Sequence, residues 1–154
     1  TVIKKTTFID KLKRSGYGNY INSLLKQYNL QENVIFLGRL TEKEMITEYL
    51  KAHVFVCPSI IENSPNSLGE AQILGVPTIS SYVGGVPDMT ENGDAGLLYR
   101  FEEIEMLSNY IFRIFNIDSL AIELSKKGIK IAEFRHDRDM NVETLNKIYI
   151  CMHE

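Results

Sequence analysis

Two glutamates, Glu62 and Glu70, stand with seven residues between them, after the apolar run Val54 to Cys57 and before Gly75-Val-Pro77. The apolar run reads as a strand, and Ser67 to Leu74 reads as a helix stopped by the glycine and proline that follow. The two carboxylates therefore bracket a polar loop and the first turn of a helix. A helix start facing out of a parallel sheet gathers unpaired backbone N–H groups and the positive end of the helix dipole, which makes it a seat for phosphate. Acids beside such a seat repel phosphate but accept hydrogen bonds from sugar hydroxyls. The chemistry this spacing allows is the holding of one ligand that carries both groups. The amides of Asn66, Ser67 and Leu68, with the Asn66 and Ser67 side chains, are the candidates for the phosphate.

Each residue also has an ordinary reading. Ser67-Leu-Gly-Glu70 is a capping box, in which Glu70 would bond only the N–H of Ser67. A carboxylate has roughly four lone-pair sites, so the two roles can coexist. Glu62, in a loop of Ser, Asn and Pro, reads by itself as a surface acid, and most helix starts bind only water. Gly84-Gly85 is either a tight turn or a place where backbone approaches a ligand closely. His53, His136 and His153 show no ligand spacing, and no Cys/His cluster points to a metal. Tyr17, Tyr20 and Tyr28 read as core or surface aromatics.

The elements that must position these groups follow from periodicity. Residues 1 to 18 have no clear period and read as an irregular lead-in. From Asn19, the apolar residues Ile21, Leu24, Leu25 and Tyr28 share one helical face, ending near Asn29. Val34 to Leu37, closed by Gly38, reads as a buried strand of a parallel sheet. Thr41-Glu-Lys-Glu44 is a capping box that starts a helix reaching about Ala52, with Met45, Tyr49 and Leu50 inward. After the strand 54–57 and the helix 67–74 come a strand over 78–81, a short helical piece from Pro87 to Glu91 and a strand from Gly96 to Tyr99. Three helices close the chain. Ile104, Leu107, Ile111, Ile114 and Phe115 share a face of the first, Asp118 caps the second, and Val142, Leu145, Tyr149 and Met152 line the third. Alternating strands and helices with short links imply right-handed crossovers and a doubly wound parallel sheet.

Composition narrows the partners. The 154 residues are 44% hydrophobic and 24% charged, as in an ordinary globular protein, and read as one domain. A formal charge of −3 argues against a nucleic-acid partner, because a phosphate-tracking surface shows as a basic excess. A local basic cluster does occur at Lys4, Lys5, Lys11, Lys13 and Arg14. The two cysteines, Cys57 and Cys151, lie far apart, which fits a reduced, cytoplasmic setting. No apolar run is long enough to span a membrane. The chain begins at Thr1 rather than at methionine, and we expect it to be a piece of something longer.

The central segment resembles the glutamate-pair motif of the retaining GT-B glycosyltransferases (glycosyl transferases group 1, family 4), which transfer a sugar from a nucleotide diphosphate donor. The resemblance is carried by Pro58-Ser59, Glu62 and Glu70, Ala71 and Gly75-Val-Pro77. Gly84-Gly85-Val-Pro87-Asp88 and Gly93-Asp-Ala-Gly96-Leu-Leu continue it in the family's order. It implies an α/β fold, a doubly wound Rossmann-like parallel sheet with flanking helices that forms the C-terminal half of a GT-B fold. On that reading residues 1–154 are one N-terminally truncated nucleotide-sugar-binding domain whose acceptor domain is absent. Glu70 would then hold the ribose hydroxyls of the donor. Glu62 would lie against the transferred sugar and stabilise the oxocarbenium-like charge that develops as the bond to phosphate breaks. Where many members carry a glycine-aromatic-glycine stretch this chain has Asn63-Ser-Pro-Asn-Ser, so donor identity stays open.

Gly38-Arg39-Leu40 sits in a context like that of the family's phosphate-binding arginine and lysine. Only one helix and one strand separate it from Pro58-Ser59, however, which fits the later turn that lines the nucleotide base. Gly38, Arg39 and Leu40 are therefore assigned to the base pocket, and the catalytic basic pair is expected to precede this chain. The resemblance implies a hexosyltransferase of polysaccharide or glycoconjugate biosynthesis that takes a UDP or GDP sugar and needs no metal or other cofactor. The fragment alone should bind nucleotide weakly and not turn over. The full protein could associate peripherally with a membrane, and the last helix could pair with another copy. Other readings share the same residues: a nucleotide-sugar epimerase, a phosphorylase, or a non-catalytic module that binds a nucleotide sugar or a protein.

Overall fold

The computed structural model describes residues 16–152. The basic cluster at Lys4, Lys5, Lys11, Lys13 and Arg14, most of the irregular lead-in, and His153 lie outside the described residues. The chain divides into two compact units between Met45 and Ile46.

Among the described residues, the first unit starts with α1, Gly16–Gln27. Gly16 to Gly18, expected in the irregular lead-in, already belong to this helix. Gly18 is its buried residue, and at such a position close packing overrides a poor helix propensity. Ile21, Leu24 and Leu25 are half-buried on the predicted face, while Tyr17, Tyr20 and Tyr28 are exposed. The helix closes as a Schellman turn. Asn29 takes a left-handed φ of 56°, and the Leu30 N–H donates to Leu25 O at 2.8 Å. Val34 to Leu37, expected as a buried strand, is not one: the run forms no strand among the described residues, and Ile35 is 68% exposed. An apolar run becomes a strand only where a ladder partner satisfies its backbone.

Helix α2, Glu42–Lys51, starts at the predicted capping residue. The Thr41 N–H and hydroxyl both donate to Glu44 Oε2, at 2.8 and 2.7 Å. The backbone bond first and the hydroxyl second hold the Glu44 carboxyl below its ordinary pKa. Of the expected inward set Met45, Tyr49 and Leu50, only Tyr49 is buried. Leu50 is one residue, about 100° of rotation, away from it, and it faces out.

Among the described residues, the second unit is built on three parallel strands in the order β1 (Phe55–Cys57), β2 (Thr78–Ser81) and β3 (Leu97–Tyr99). Val56 pairs with Ile79 and Ile79 with Leu97; Cys57 pairs with Ser80 and Ser80 with Leu98. Side chains in register share a face, so alternate residues feed two apolar layers. On one face Ile79, Leu97 and Tyr99 pack with Ile114 of α5 (Ile104–Asn116) and Leu124 of α6 (Asp118–His136). On the other, Phe55 and Leu98 pack with Leu68 of α3 (Asn66–Ile73) and with Val86 and Met89 of α4 (Val86–Met89). Each fully buried apolar side chain of this kind contributes about 1.5–3 kcal/mol, so both faces are needed to hold the sheet. Helices on both faces of a parallel sheet make this the expected doubly wound fold.

Small residues set the close contacts. Helix α3 ends in a second Schellman turn, with Gly75 at φ 74° and the Val76 N–H donating to Ala71 O at 2.9 Å. A Cβ on Gly69 would lie 2.7 Å from His136 Nε2, so the end of α6 rests directly on the backbone of α3. Asp118, expected as a cap, is instead the first residue of α6, and Ile117 occupies the cap without a side-chain bond. At that position Asp118 still complements the helix dipole. Ile104 and Phe115, expected inward on α5, are exposed, because Ile114 and its neighbours already fill the layer. Helix α7, Arg138–Cys151, is capped by Asp137, whose carboxylate accepts from the Met140 N–H at 2.8 Å. Its apolar residues Val142, Leu145 and Tyr149, with Met152 just beyond, are all exposed.

Candidate functional site

Strand β2 is buried at all four positions although it reads Thr-Ile-Ser-Ser. A buried hydroxyl left unpaired costs about 1–3 kcal/mol; Thr78 Oγ1 carries that cost, with no partner among the described residues, while the two serines find acceptors at the carboxyl end of β1. Ser80 Oγ donates to Cys57 O at 3.2 Å, and Ser81 Oγ donates to Ser59 O. The sequence thus uses small polar residues in the middle strand to fix the point where the loop carrying Glu62 departs.

That loop is held again further on. The Gly85 N–H donates to Asn63 O at 2.7 Å, and Ser64 Oγ donates to Met89 Sδ at 3.5 Å. Gly84 sits at a φ of 50°, and any Cβ there would fall on the carbonyl group of Glu62. The close approach allowed by Gly84-Gly85 is therefore made to the chain's own Glu62–Asn63 backbone, through a turn that leads into α4. On the far side of α4, Arg135 Nη2 donates to Asp88 O at 2.7 Å. Burial lowers the Arg135 pKa, while Asp88 and Glu91 oppose that shift. Glu62 is half-buried, and its Oε1 accepts from Ser59 Oγ at 3.2 Å.

Glu70 is placed differently. Helix α3 begins at Asn66 behind Pro65, with no side-chain cap and no acid in its first turn. The capping box read from Ser67 and Glu70 does not form, because starting the helix at Asn66 puts Ser67 inside it rather than at its cap. Leu68, Ala71 and Gln72 face the core, and Asn66, Glu70 and Ile73 face outward. Residues four apart lie one above the other, and helical side chains lean toward the N-terminus, so Glu70 stands over Asn66 at the helix mouth. The Glu70 carboxylate accepts from the Tyr49 hydroxyl at 3.2 Å, and the same hydroxyl lies 3.3 Å from Ser67 O. Burial, then the Glu70 charge and the hydrogen bond, push the Tyr49 pKa up to about 12. Tyr49 therefore remains a donor across the physiological range.

The three proposed amides divide. Among the described residues, no acceptor meets the N–H of Asn66 or Ser67, as geometry requires of a first helical turn. The Leu68 N–H is occupied: it donates to Pro65 O at 3.1 Å, and the Leu68 side chain is fully buried with Val86 and Met89. Leu68 is thus a core residue whose amide is closed into the turn. Gly38, Arg39 and Leu40 lie in the first unit, where Gly38 makes a left-handed turn at φ 74°. Ser59, Ser81 and Tyr49 also touch the Glu62 loop or Glu70, beyond the residues that the sequence pattern singles out. The signal for Tyr49 was present, since an inward tyrosine on a helix needs a partner for its hydroxyl. Among the described residues no group of three or more His, Cys, Asp or Glu is arranged to hold a metal ion. No helix among them is long and apolar enough to cross a membrane.

A parallel sheet wound on both faces by helices is a doubly wound α/β fold. Here it is one half of the GT-B architecture. The chain belongs to the family of glycosyl transferases group 1, whose model matches residues 14–131. It is 27% identical over 136 residues to the O-antigen chain mannosyltransferase B of Escherichia coli, covering 86% of this chain and 35% of that protein. It is 38% identical over 69 residues to a GDP-mannose-dependent alpha-mannosyltransferase of Corynebacterium glutamicum, covering 45% and 17%. Among solved structures, the sucrose-phosphate synthase of Thermosynechococcus elongatus superposes with a TM-score of 0.78 at 27% identity, over 92% of this chain and 36% of that one. The chain spans about a third of the length of the curated relatives it matches.

Proposed function

We propose that this chain is the donor-binding half of a retaining glycosyltransferase that moves a hexose from a nucleoside diphosphate to an acceptor hydroxyl. The observation that carries the reading is the outer face of α3. There an exposed carboxylate, Glu70, stands over a helix mouth whose first N–H groups have no acceptor among the described residues. The diphosphate sits on the amides of Asn66 and Ser67, aided by the helix dipole, and the ribose hydroxyls donate to Glu70. Glu62 meets the transferred sugar as the bond from its anomeric carbon to phosphate breaks. The negative carboxylate stabilises the oxocarbenium-like charge while the diphosphate leaves, the acceptor oxygen bonds to the same face, and the acceptor hydroxyl proton passes to the departing diphosphate oxygen. The base-lining role of Gly38, Arg39 and Leu40 rests on the sequence resemblance alone.

The names of the relatives fit this reading: one is called a mannosyltransferase and another is called GDP-mannose-dependent. We read the reaction as metal-independent, with basic groups and helix amides neutralising the leaving diphosphate. The acceptor belongs to polysaccharide or glycoconjugate assembly, in the cytoplasm or at a membrane surface, and an acceptor domain outside this chain completes the site. The intact gene product should be incubated with a panel of UDP and GDP hexoses and an acceptor extract. The reading predicts release of one nucleoside diphosphate and a product whose anomeric configuration matches the donor's. A product of opposite configuration, an epimerised donor without transfer, or cleavage that depends on orthophosphate would overturn it.

A further inference from the structure

We propose that Tyr49 is a positioning residue for Glu70, its hydroxyl holding the carboxylate over the mouth of α3 so that the ribose meets an acceptor already aimed. The inference rests on the reading of Glu70 as the ribose acceptor. Tyr49 is only 7% exposed, and its ring stands edge-on to Phe55 with centroids 5.6 Å apart and planes 62° from parallel. Ala71 and Val76 close the same apolar cluster, so the ring has one place to be. The hydroxyl it delivers lies 3.2 Å from Glu70 Oε2 and 3.3 Å from Ser67 O. One O–H carries one proton, and a charged carboxylate is the stronger acceptor, so the proton goes to Glu70.

A glutamate on an exposed helix face is otherwise free to rotate about its side-chain bonds, and binding must then stop that rotation. Tyr49 stops it beforehand. It occupies a site on Oε2 only, and among the described residues no other group bonds Glu70, which leaves Oε1 free for a ribose hydroxyl. A buried residue of α2 thus sets the aim of an exposed residue of α3.

The test is titration calorimetry of UDP and GDP on the intact gene product. It compares the wild type, Tyr49→Phe, Glu70→Ala and the double variant, with a dideoxynucleoside diphosphate lacking both ribose hydroxyls as control ligand. Tyr49→Phe keeps the ring and removes only the donor. It should weaken nucleotide binding about three- to ten-fold, leave binding of the dideoxy ligand unchanged, and cost nothing further in the Glu70→Ala background. Wild-type affinity in Tyr49→Phe, beside weakened binding in Glu70→Ala, would overturn the inference and leave the donor-site reading standing. An equal loss from Tyr49→Phe in both backgrounds would also overturn it, since Tyr49 would then act through the fold. Wild-type affinity in Glu70→Ala would remove the reading itself. If Tyr49→Phe fails to fold, Tyr49→difluorotyrosine keeps the packing and lowers the hydroxyl pKa. Affinity must then fall as pH rises through that titration, and a flat profile overturns the inference.

Discussion

Glu62 and Glu70 stand close in sequence and each accepts one hydroxyl hydrogen bond at 3.2 Å, but the backbones that carry them are held by different means. Glu62 rides on a loop with no regular structure of its own, so it is fixed through its backbone. Ser81 holds the chain before it and Gly85 the chain after it, while Gly84 leaves room for its carbonyl. Glu70 rides on a helix whose backbone is already rigid, so it is fixed through its side chain by one hydroxyl from Tyr49. A carboxylate that must meet a reacting carbon needs its whole peptide unit located. One that must meet two flexible hydroxyls needs only its rotamer restrained. With the roles proposed above, changes around Glu62 should act on turnover, and changes around Glu70 on affinity.

The sharpest way to break that contrast is at Glu62 itself. Glu62→Gln keeps size and hydrogen bonding while removing the charge. Steady-state transfer kinetics should show kcat lower by about 10²–10³ with donor KM within a few-fold of wild type. A rise in KM alone would place Glu62 among binding groups. Next in size is Gly84→Ala, which puts a Cβ onto the Glu62 carbonyl at a φ that L-residues avoid. Thermal unfolding should register a loss of about 1–3 kcal/mol, with kcat falling alongside. Gly16, with open space around its Cβ position, should tolerate the same substitution without loss. The smallest effect is expected from Ser59→Ala, which removes one neutral hydroxyl from Glu62 at 3.2 Å. It should lower kcat about two- to ten-fold and leave nucleotide affinity alone. A change in nucleotide affinity instead would blur the division between the two carboxylates.

Much of this arrangement was legible in the sequence. Strand 78–81 was read at its observed bounds, because Gly75-Val-Pro77 and the glycines after Ser81 punctuate it. The helix carrying Glu70 and the cap at Thr41 were read because each depends on near neighbours. What was misread depends on distant partners. Val34 to Leu37 has the composition of a strand but no ladder, and composition cannot report a missing neighbour. The Ser67–Glu70 capping box failed by one residue of helix start, and that shift freed Glu70 for Tyr49, eighteen residues before Ser67 and on another helix. Leu68 lost its candidacy for a related reason, its N–H being closed onto Pro65 by the way the helix begins. The anchors of the Glu62 loop come from β2 and from the turn before α4, and they appear only once the sheet brings those segments together.

The central claim is that one donor molecule lies across the mouth of α3, diphosphate on the amides and ribose on Glu70. A crystal structure of the intact gene product with its nucleoside diphosphate tests it most directly. The account predicts phosphate oxygens within hydrogen-bond distance of the Asn66 and Ser67 N–H groups and a ribose hydroxyl on the Glu70 carboxylate, with Tyr49 still bound to its other oxygen. A nucleotide bound elsewhere, with the α3 mouth holding only solvent, would contradict it.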